Sequence, residues 1–406
     1  MTDDNALPIP IFDTLDTLEQ EYAPFPAYVQ PDDYQVSRSF LLAYAGSPDT
    51  FHSYRREVDR FLQWVYLERQ STLGLIDRED VERYIEFCKK PPTAWIATKM
   101  VPRFIDDNGL KRPNPDWRPF VAKISKEAHQ DGKKPSIKRY QLSNQGVRAI
   151  LRILSSYFSF LEMEDYVRSN PVKRIRQKSK FTRTYSTPQP IRRLSELQWD
   201  YVIETVELMA ASNAAHERTL FIMSALYGLY LRISELVDTP RWTPLMRHFY
   251  QDQDGNWWFK TVGKGNKERD ITVSSDMLNA LKRYRKSLGM TVLPPPRDNS
   301  PLLPKSKGSG GLSSTRHLRD IVQICFDEAV HRLRHDGLDS DADALRSATV
   351  HWLRHTGISD DVKRRPKEHV RDDAGHSSSA ITDRYIDIEK RERHASAKKK
   401  KLRPIL

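Results

Sequence analysis

Length, charge and apolar content limit what this chain can be. Its 406 residues include 66 lysines and arginines against 54 aspartates and glutamates, a formal net charge of +12 at pH 7. A chain of this length can bury one large hydrophobic core or two, with two the expectation, and the basic balance favours a polyanionic partner, with nucleic acid first. No apolar run approaches the roughly 20 residues that cross a bilayer, and the acidic, proline-bearing start lacks a signal-peptide pattern. We therefore expect a soluble, unexported protein with no membrane partner.

The cysteine content indicates a reducing compartment. Only Cys88 and Cys325 occur, without the spacing of a zinc site and too few for a disulfide framework. We expect both to be reduced thiols in the cytoplasm.

The N-terminal part begins with an irregular segment and continues with a helix. Residues 1–33 mix prolines with acids without a sustained period, which predicts an N-terminal arm or loosely docked tail. From Ser47 to Gln70, apolar residues recur at helical spacing after a Pro-Asp-Thr start signal. This pattern predicts an amphipathic helix whose opposite face carries Arg55, Arg56 and Arg60.

A second strong helix is predicted over residues 144–163, where apolar residues again follow a helical period. Between the two helices, residues 91–140 are weakly periodic and rich in proline, tryptophan and lysine. We interpret this stretch as an insertion in a small helical domain over residues 34–172.

A basic segment over residues 173–193 is predicted to be the domain boundary. It has no acidic residue, and its eight basic residues are Lys173, Arg174, Arg176, Lys178, Lys180, Arg183, Arg192 and Arg193. Pro188 and Pro190 prevent a continuous helix. Such runs are commonly solvated linkers, but a linker between two DNA-facing domains is expected to contact phosphates as well.

The C-terminal part is predicted to start with helices. Ser195 and Gln198 have capping-box spacing ahead of an apolar period, and a further helix is predicted over residues 219–238. The rest is predicted to be helical apart from a Pro-, Ser- and Gly-rich loop over residues 293–314.

A small antiparallel sheet interrupts these helices. Residues 257–273, "WWFKTVGKGNKERDITV", have the pattern of two strands joined by a glycine-rich turn, and Asp254-Gly255 suggests another hairpin turn before them. The predicted fold class is mainly α with a small antiparallel β-sheet.

Four short segments hold residues that suit chemistry on a phosphodiester. These are "LRISEL" with Arg232, "GKGNKER" with Lys264, "HWLRHTG" with His351 and Arg354, and "AGHSSSAITDRYIDI" with His376 and Tyr385. Three-residue spacing puts His351 and Arg354 on one side of a helix. Two guanidiniums can clamp the charge of a phosphoryl transition state, a histidine can accept a phenol proton, and a lysine can protonate the leaving oxygen. No carboxylate cluster has metal-ligand spacing, so the expected mechanism is covalent and metal-independent.

These segments resemble the tyrosine recombinase (phage integrase) family, with all six signature positions in order between about residues 193 and 388. The resemblance implies a helical core-binding (SAM-like) domain plus a catalytic domain over residues 194–388, closing around DNA as a C-shaped clamp. It leaves residues 389–406 as a basic C-terminal tail. Looser similarity in the N-terminal half supports the same layout.

The resemblance also implies an activity. It identifies Tyr385 as a nucleophile that forms a 3'-phosphotyrosine intermediate, Arg232 and Arg354 as phosphate ligands, and His376 as a positioning residue. In the same scheme His351 is the base, Lys264 is the acid and Glu235 is supporting. Because one phosphodiester is exchanged for another, no cofactor is expected.

The expected protein is a site-specific DNA recombinase, of the kind encoded by mobile genetic elements for integration or excision. Its partners would be double-stranded DNA recombination sites, three further copies of itself in a tetramer, and accessory directionality proteins or a partner recombinase. The expected location is the cytoplasm, at the nucleoid, with a bacterial or phage origin. The predicted DNA-binding residues are Arg55, Arg56, Lys173, Arg174, Arg176, Lys178, Lys180 and Arg183.

Two stretches depart from the family pattern. Bulky Tyr230 stands where a small residue is usual ahead of the Leu-Arg pair, and residues 357–376 are charged and interrupted by Pro366. The second departure bears on the local helix geometry more than on the catalytic set.

Structural alternatives exist for several of these residues. Tyr385 could be a core tyrosine, and Arg232 with Glu235 could be a plain ion pair within a helix. Lys267 and Arg269 compete with Lys264 as proton donor. The expectation for His355, Asp387 and the tail lysines is a solvated or structural role.

Two other functions are compatible with the sequence. A type IB topoisomerase would use similar chemistry as a monomer on any supercoiled DNA. A DNA-binding regulator with the same fold would have no catalysis at all.

Overall fold

The computed structural model divides the chain into two compact units, residues 1–187 and 188–406. The boundary falls inside the segment predicted to be the basic linker. The structure describes residues 7–20, 25–108, 110–176, 192–263, 265–383, 385 and 397–398.

The first unit is mainly helical. Its helices are α1 (Leu15–Leu18), α2 (Pro31–Leu42), α3 (Pro48–Gln63), α4 (Arg78–Lys89), α5 (Lys126–Gln130), α6 (Asn144–Met163) and α7 (Pro171–Arg176). Its strands form two short ladders, with β1 (Ile96–Ala97) parallel to β4 (Phe120–Val121) and β2 (Phe104–Asp107) antiparallel to β3 (Leu110–Pro113). The ladders and α5 lie within the predicted insertion, and α7 takes in the first residues of the predicted linker.

The two helices with the strongest sequence periods form the centre of this unit. Helix α3 starts with proline in its first turn and continues as one π-helical turn over Trp64–Glu68, and α6 is capped by Ser143. Phe61 and Phe158 meet across the interface in an edge contact with ring centroids 5.6 Å apart. Both predicted helices are therefore confirmed.

The opposite face of α3 differs from the prediction at Arg60. This arginine is buried, with Nη1 3.0 Å from a Glu57 carboxylate oxygen and Nη2 2.9 Å from the carbonyl oxygen of Pro119. Its guanidinium also lies over the ring of Phe120. Pro119 and Phe120 come from the insertion, so the helix period alone could not show that this charge is buried.

The described part of the predicted arm packs into the first core. Ile11 and Phe12 are buried, and their backbone N–H groups donate to the buried carboxylate of Asp59 at 3.1 and 3.3 Å. Arg103, from the insertion, donates to the carbonyl of Phe12 at 3.0 Å. Residues 7–20 are thus an integral part of the unit, contrary to the expectation of a loosely docked tail.

The second unit has a helical layer and one three-stranded sheet. Its helices are α8 (Glu196–Ser212), α9 (Glu217–Gly228), α10 (Ser275–Ser287), α11 (Thr315–His335), α12 (Asp339–Arg346), α13 (Val350–Asp361), α14 (Lys367–Ala374) and α15 (Ser379–Asp383). Strands β5 (Phe249–Gln251), β6 (Trp257–Val262) and β7 (Glu268–Thr272) form an antiparallel sheet in the order β5-β6-β7. The capping box at Ser195 and both predicted hairpin turns are confirmed.

The helix predicted over residues 219–238 ends early, at Gly228. Tyr230 takes a left-handed backbone conformation with φ of 49°, which a non-glycine residue rarely adopts and which stops the helix. Arg232 is extended and leads into a 3-10 turn over Ile233–Glu235. The carbonyl of Tyr230 accepts a hydrogen bond from Arg354, so a partner far along the sequence stabilises this break.

Other described features concern the cysteines and possible ion or membrane binding. Cys88 and Cys325 are free and buried, and burial raises the pKa of each thiol to about 12. Among the residues that the structure describes, no helix is long and apolar enough to cross a membrane. In the same residues, no group of three or more His, Cys, Asp and Glu side chains is arranged to hold a metal ion.

Helices α9 and α13 approach each other closely at Gly357. A Cβ atom there would lie 2.2 Å from the carbonyl oxygen of Tyr227 and 3.2 Å from Cδ1 of Tyr230. Only glycine allows this contact, because the nearest atom is rigid backbone.

Gly357→Ala should therefore force α13 away from α9. We expect the free energy of unfolding, measured by urea denaturation, to fall by about 1–3 kcal/mol or more, as for other overpacked sites. Gly228→Ala is the matched control, because its Cβ would meet only Met277 at 3.5 Å. Equal stability of the two variants would contradict the close approach.

Candidate active site

Glu235 holds two arginines from different elements. This residue is 1% exposed, and its carboxylate accepts from the backbone N–H of Arg232 at 2.9 Å and from Arg232 Nη1 at 3.0 Å. The same carboxylate also accepts hydrogen bonds from Nη1 and Nη2 of Arg269, on β7, at 2.9 and 2.8 Å. Burial opposes ionisation of Glu235, but the hydrogen bonds and charges of Arg269 and Arg232 together outweigh it, and the pKa of the carboxyl lies below its usual range.

The space around Arg269 depends on two glycines. A Cβ on Gly263 would lie 2.8 Å from Arg269 Nη1 and 3.3 Å from Arg232 Nη1. A Cβ on Gly375, at φ of 64°, would lie 2.9 Å from Arg269 Cδ. Gly263, at the end of β6, therefore lies directly against both arginines.

Three residues, Lys264, Lys267 and Arg269, are the candidates for the proton donor. Lys264 lies outside the described residues, so its predicted role stays a prediction. Lys267 is exposed, and its carbonyl accepts from the N–H of Gly263 at 2.8 Å. Arg269 is committed to Glu235 and to the carbonyl of Asp373, which it contacts through Nε at 3.0 Å. These bonds make Arg269 a positioning residue.

Arg354 is buried in α13, with 5% of its surface exposed. Its Nη1 donates to the carbonyl of Tyr230, and its Nη2 donates to the carbonyl of Ala374 at 2.6 Å. Burial, together with the charge of Arg232, lowers the pKa of Arg354 to about 10, so the guanidinium is still charged at neutral pH. Both predicted phosphate ligands are therefore oriented by the protein itself.

His351 lies in the first turn of α13, one turn before Arg354 and His355. Its side chain is exposed, but desolvation by the surrounding atoms and the charges of Arg354, Arg232 and Arg319 lower its pKa. It borders a cavity of about 400 Å³ that is also lined by Val322 and Phe326.

Tyr385 is 8% exposed and lies between two histidines. Its ring stacks on that of His376, with centroids 5.6 Å apart and planes 18° apart. Its hydroxyl lies 2.7 Å from Nδ1 of His355. Tyr385 is thus a buried phenol in contact with imidazole nitrogen, as nucleophile activation requires.

His376 is kept neutral by its surroundings. Its Nδ1 lies 2.9 Å from the hydroxyl of Thr382. Burial and then the charges of Arg354 and Arg232 lower its pKa to about 4.

His355 is a site residue that the sequence analysis missed. It was expected to be solvated or structural, yet it is half-buried and contacts the hydroxyl of Tyr385. Its spacing was the available signal, because His351 and His355 are four apart and share a helix face. Their ring centroids lie 5.6 Å apart.

The two departures from the family pattern meet in one hydrogen-bonded network. The hydroxyl of Tyr230 donates to Asp361, and Arg365 donates to that hydroxyl at 3.0 Å. Arg365 also donates to Asp373 at 2.6 Å, and Asp373 accepts from the N–H and hydroxyl of Thr272 at 3.2 and 3.1 Å. The charged segment therefore ties α13 and α14 to the sheet.

Pro366 does not disturb this arrangement. It caps the start of α14, where a missing N–H costs nothing, and α14 then runs to Ala374.

The predicted DNA-binding residues lie in the first unit and the linker. Arg55 donates to the carbonyl of Asp13, whereas Arg56 and Lys173 are exposed; Arg56 pairs with the buried Glu57, and Lys173 pairs with Glu162 at the surface. The side chains of the remaining five lie outside the described residues: Arg174, Arg176, Lys178, Lys180 and Arg183.

Comparison with known proteins finds structural similarity to solved proteins. The sequence matches no protein-family model and no curated protein. The structure of the XerH site-specific recombinase bound to difH substrate, a pre-cleavage complex, aligns with 90% of this chain and 84% of its own, at 15% identity and a TM-score of 0.52. XerH bound to palindromic difH substrate, a post-cleavage complex, aligns with 91% of this chain and 90% of its own, at 14% identity and a TM-score of 0.55.

A third match is the Tn1549 transposon integrase in complex with a circular intermediate DNA. It aligns with 90% of this chain and 98% of its own, at 13% identity and a TM-score of 0.51. At these identities the likeness shows the fold. The predicted tyrosine-recombinase fold, mainly α with a small antiparallel sheet, is confirmed.

Removing Glu235 should be costly, because Arg232 and Arg269 would lose their shared counter-charge. We expect Glu235→Ala to lower the free energy of unfolding by about 3–5 kcal/mol, the usual cost of breaking a buried ion pair. Glu217→Ala is the control, since the carboxylate of Glu217 also accepts two hydrogen bonds from an arginine, the exposed Arg283. That loss should be about 1 kcal/mol or less in the same urea denaturation, and equal losses would contradict the buried role.

The lowered pKa of His376 should make stability depend on pH. The unfolded histidine, with a pKa of about 6.5, binds a proton that the folded one excludes until about pH 4. The free energy of unfolding should therefore fall between about pH 6.5 and 4, and fall less in His376→Gln. Urea denaturation of both proteins at pH 7 and 5 checks this, and parallel losses would contradict it.

Proposed function

We propose that this chain, which has the fold of tyrosine recombinases, is a site-specific DNA recombinase acting through a 3'-phosphotyrosine intermediate. The observation that carries the proposal is the position of Tyr385. Its hydroxyl lies against His355 and its ring against His376, and it lies near enough to Arg354 to influence the pKa of that guanidinium. A buried tyrosine beside two fixed arginines suits covalent attack on a phosphate.

In this proposal Arg232 and Arg354 bind the scissile phosphate. Charge develops on the non-bridging oxygens during transfer, and guanidiniums fixed beforehand can stabilise it without reorganising. Glu235 fixes the first arginine, and the carbonyls of Tyr230 and Ala374 fix the second.

Proton transfer completes the proposed scheme. Lys264 is proposed as the acid that protonates the leaving 5'-oxygen, and His351 as a base or phosphate ligand. His376, neutral at pH 7, is proposed to position the phosphate and Tyr385. Exchange of one phosphodiester for another needs no nucleotide cofactor.

The proposed substrate is a pair of double-stranded DNA sites held by four copies of the chain. The net charge of +12 supports a DNA partner. The matched XerH and Tn1549 integrase structures contain difH DNA and a circular intermediate DNA, respectively. A transposon integrase among the matches favours a mobile-element enzyme, in a bacterial or phage setting and working at the nucleoid. Accessory directionality proteins belong to the same proposal.

Covalent trapping tests this function. DNA bound by the protein is selected from the sequence flanking its gene and built into nicked suicide duplexes. The wild type should form an adduct that resists SDS, and Tyr385→Phe should form none, since it lacks the attacking oxygen.

Tyr201→Phe is the matched control, because Tyr201 donates to Asp336 on an exposed surface and should not affect the adduct. Specific binding without any adduct would indicate a DNA-binding regulator instead. Relaxation of any supercoiled plasmid by a monomer would indicate a type IB topoisomerase.

A further inference from the structure

The hydroxyl of Tyr385 contacts a histidine that lies outside the six signature positions. Nδ1 of His355 is 2.7 Å from this hydroxyl, within the 2.6–3.2 Å range that proton abstraction needs. We infer that His355 accepts the phenol proton when Tyr385 attacks the phosphate. This inference rests on the proposed recombinase function, and within it assigns the base to His355 in place of His351, which then serves as a phosphate ligand.

The backbone around His355 is fixed by contacts on both sides. Arg354, the preceding residue, is anchored to two carbonyls, and Gly357, two residues on, packs against the carbonyl of Tyr227. His355 and the phosphate-binding Arg354 therefore move together. A base on this helix would keep its distance from the phosphate as well as from the phenol.

The other two histidines have different surroundings. His376 stacks on the face of the Tyr385 ring, and its Nδ1 is engaged with the hydroxyl of Thr382. His351 lies one turn from His355, beside the charge of Arg319 and the cavity. This position suits phosphate binding, and His355 is the histidine with a ring nitrogen at the phenol.

The proton balance is complete in both directions. His355 starts neutral with its proton on Nε2, so that Nδ1 can accept from the Tyr385 hydroxyl. As the bond from the phenol oxygen to phosphorus forms and the bond to the 5'-oxygen breaks, the phenol proton moves to Nδ1. The 5'-oxygen takes its proton from a separate acid, proposed as Lys264. In rejoining, the 5'-hydroxyl attacks phosphorus and returns its proton to that same acid, while the phosphotyrosine bond breaks and His355 returns its proton to the phenolate.

Adduct formation on the nicked suicide duplex, followed in time, tests the assignment. His355→Ala should slow the wild-type rate by about 10²–10⁴-fold, the usual contribution of a general base. His355→Gln should be similarly slow, because its carboxamide oxygen accepts a hydrogen bond but not the proton. Added imidazole should raise the rate of the alanine variant at least tenfold.

A duplex with sulfur in place of the bridging 5'-oxygen distinguishes the loss of the base from the loss of the acid. Its thiolate leaves without a proton, so it should restore Lys264→Ala if Lys264 is the acid. The defect of His355→Ala should persist, because the phenol must still lose its proton. His369→Ala is the matched control, since this histidine is exposed on α14, and it should react at the wild-type rate.

The outcomes are distinguishable. His355→Gln reacting within about threefold of wild type would overturn the assignment, and so would full restoration of His355→Ala by the sulfur substrate. Circular dichroism of both variants separates slow chemistry from misfolding, and imidazole rescue requires a folded site. If the wild type forms no adduct at all, the proposed function fails, and this assignment fails with it.

Discussion

The candidate site depends on one buried carboxylate between two guanidiniums. Besides burial, the charges of Arg232 and Arg269 lower the pKa of Arg354, and the charges of all three arginines lower the pKa of His376. Like charges in a partly buried site repel strongly, and Glu235 offsets this repulsion. Its bonds fix Arg232 and Arg269 at the same time. A phosphate would therefore meet arginines that are already oriented.

The second arginine is stabilised by backbone instead of by a carboxylate. Arg354 is desolvated, and carbonyls at Tyr230 and Ala374 replace its lost water. The left-handed conformation of Tyr230 accompanies this contact, and the hydroxyl of Tyr230 is held through Asp361 and Arg365. Tyr230 and the charged segment that contains Asp361 and Arg365 therefore belong to one hydrogen-bonded network next to Arg354.

The surroundings of His376 and His355 also distinguish the roles proposed for these two histidines. Burial and then the charges of neighbouring arginines keep His376 neutral, and its ring stacks on that of Tyr385. His355 instead presents Nδ1 to the phenol oxygen. A phenol with a pKa near 10 is a weak nucleophile until a base takes its proton, so the placement of this nitrogen matters more than the number of histidines nearby.

Local patterns were sufficient for α3, α6, the capping box at Ser195 and the β6-β7 hairpin, because apolar spacing and turn residues act over a few positions. The sequence also supplied the four segments of the site. It could not place the end of α9, the burial of Arg60, or the contacts of Arg269 and His355. Those depend on partners distant in the chain: Arg354 and Tyr230 are 124 residues apart, and Arg60 and Pro119 are 59 apart. Only tertiary packing brings such partners within hydrogen-bond distance, and it alone decided which charges are buried and which histidine contacts Tyr385.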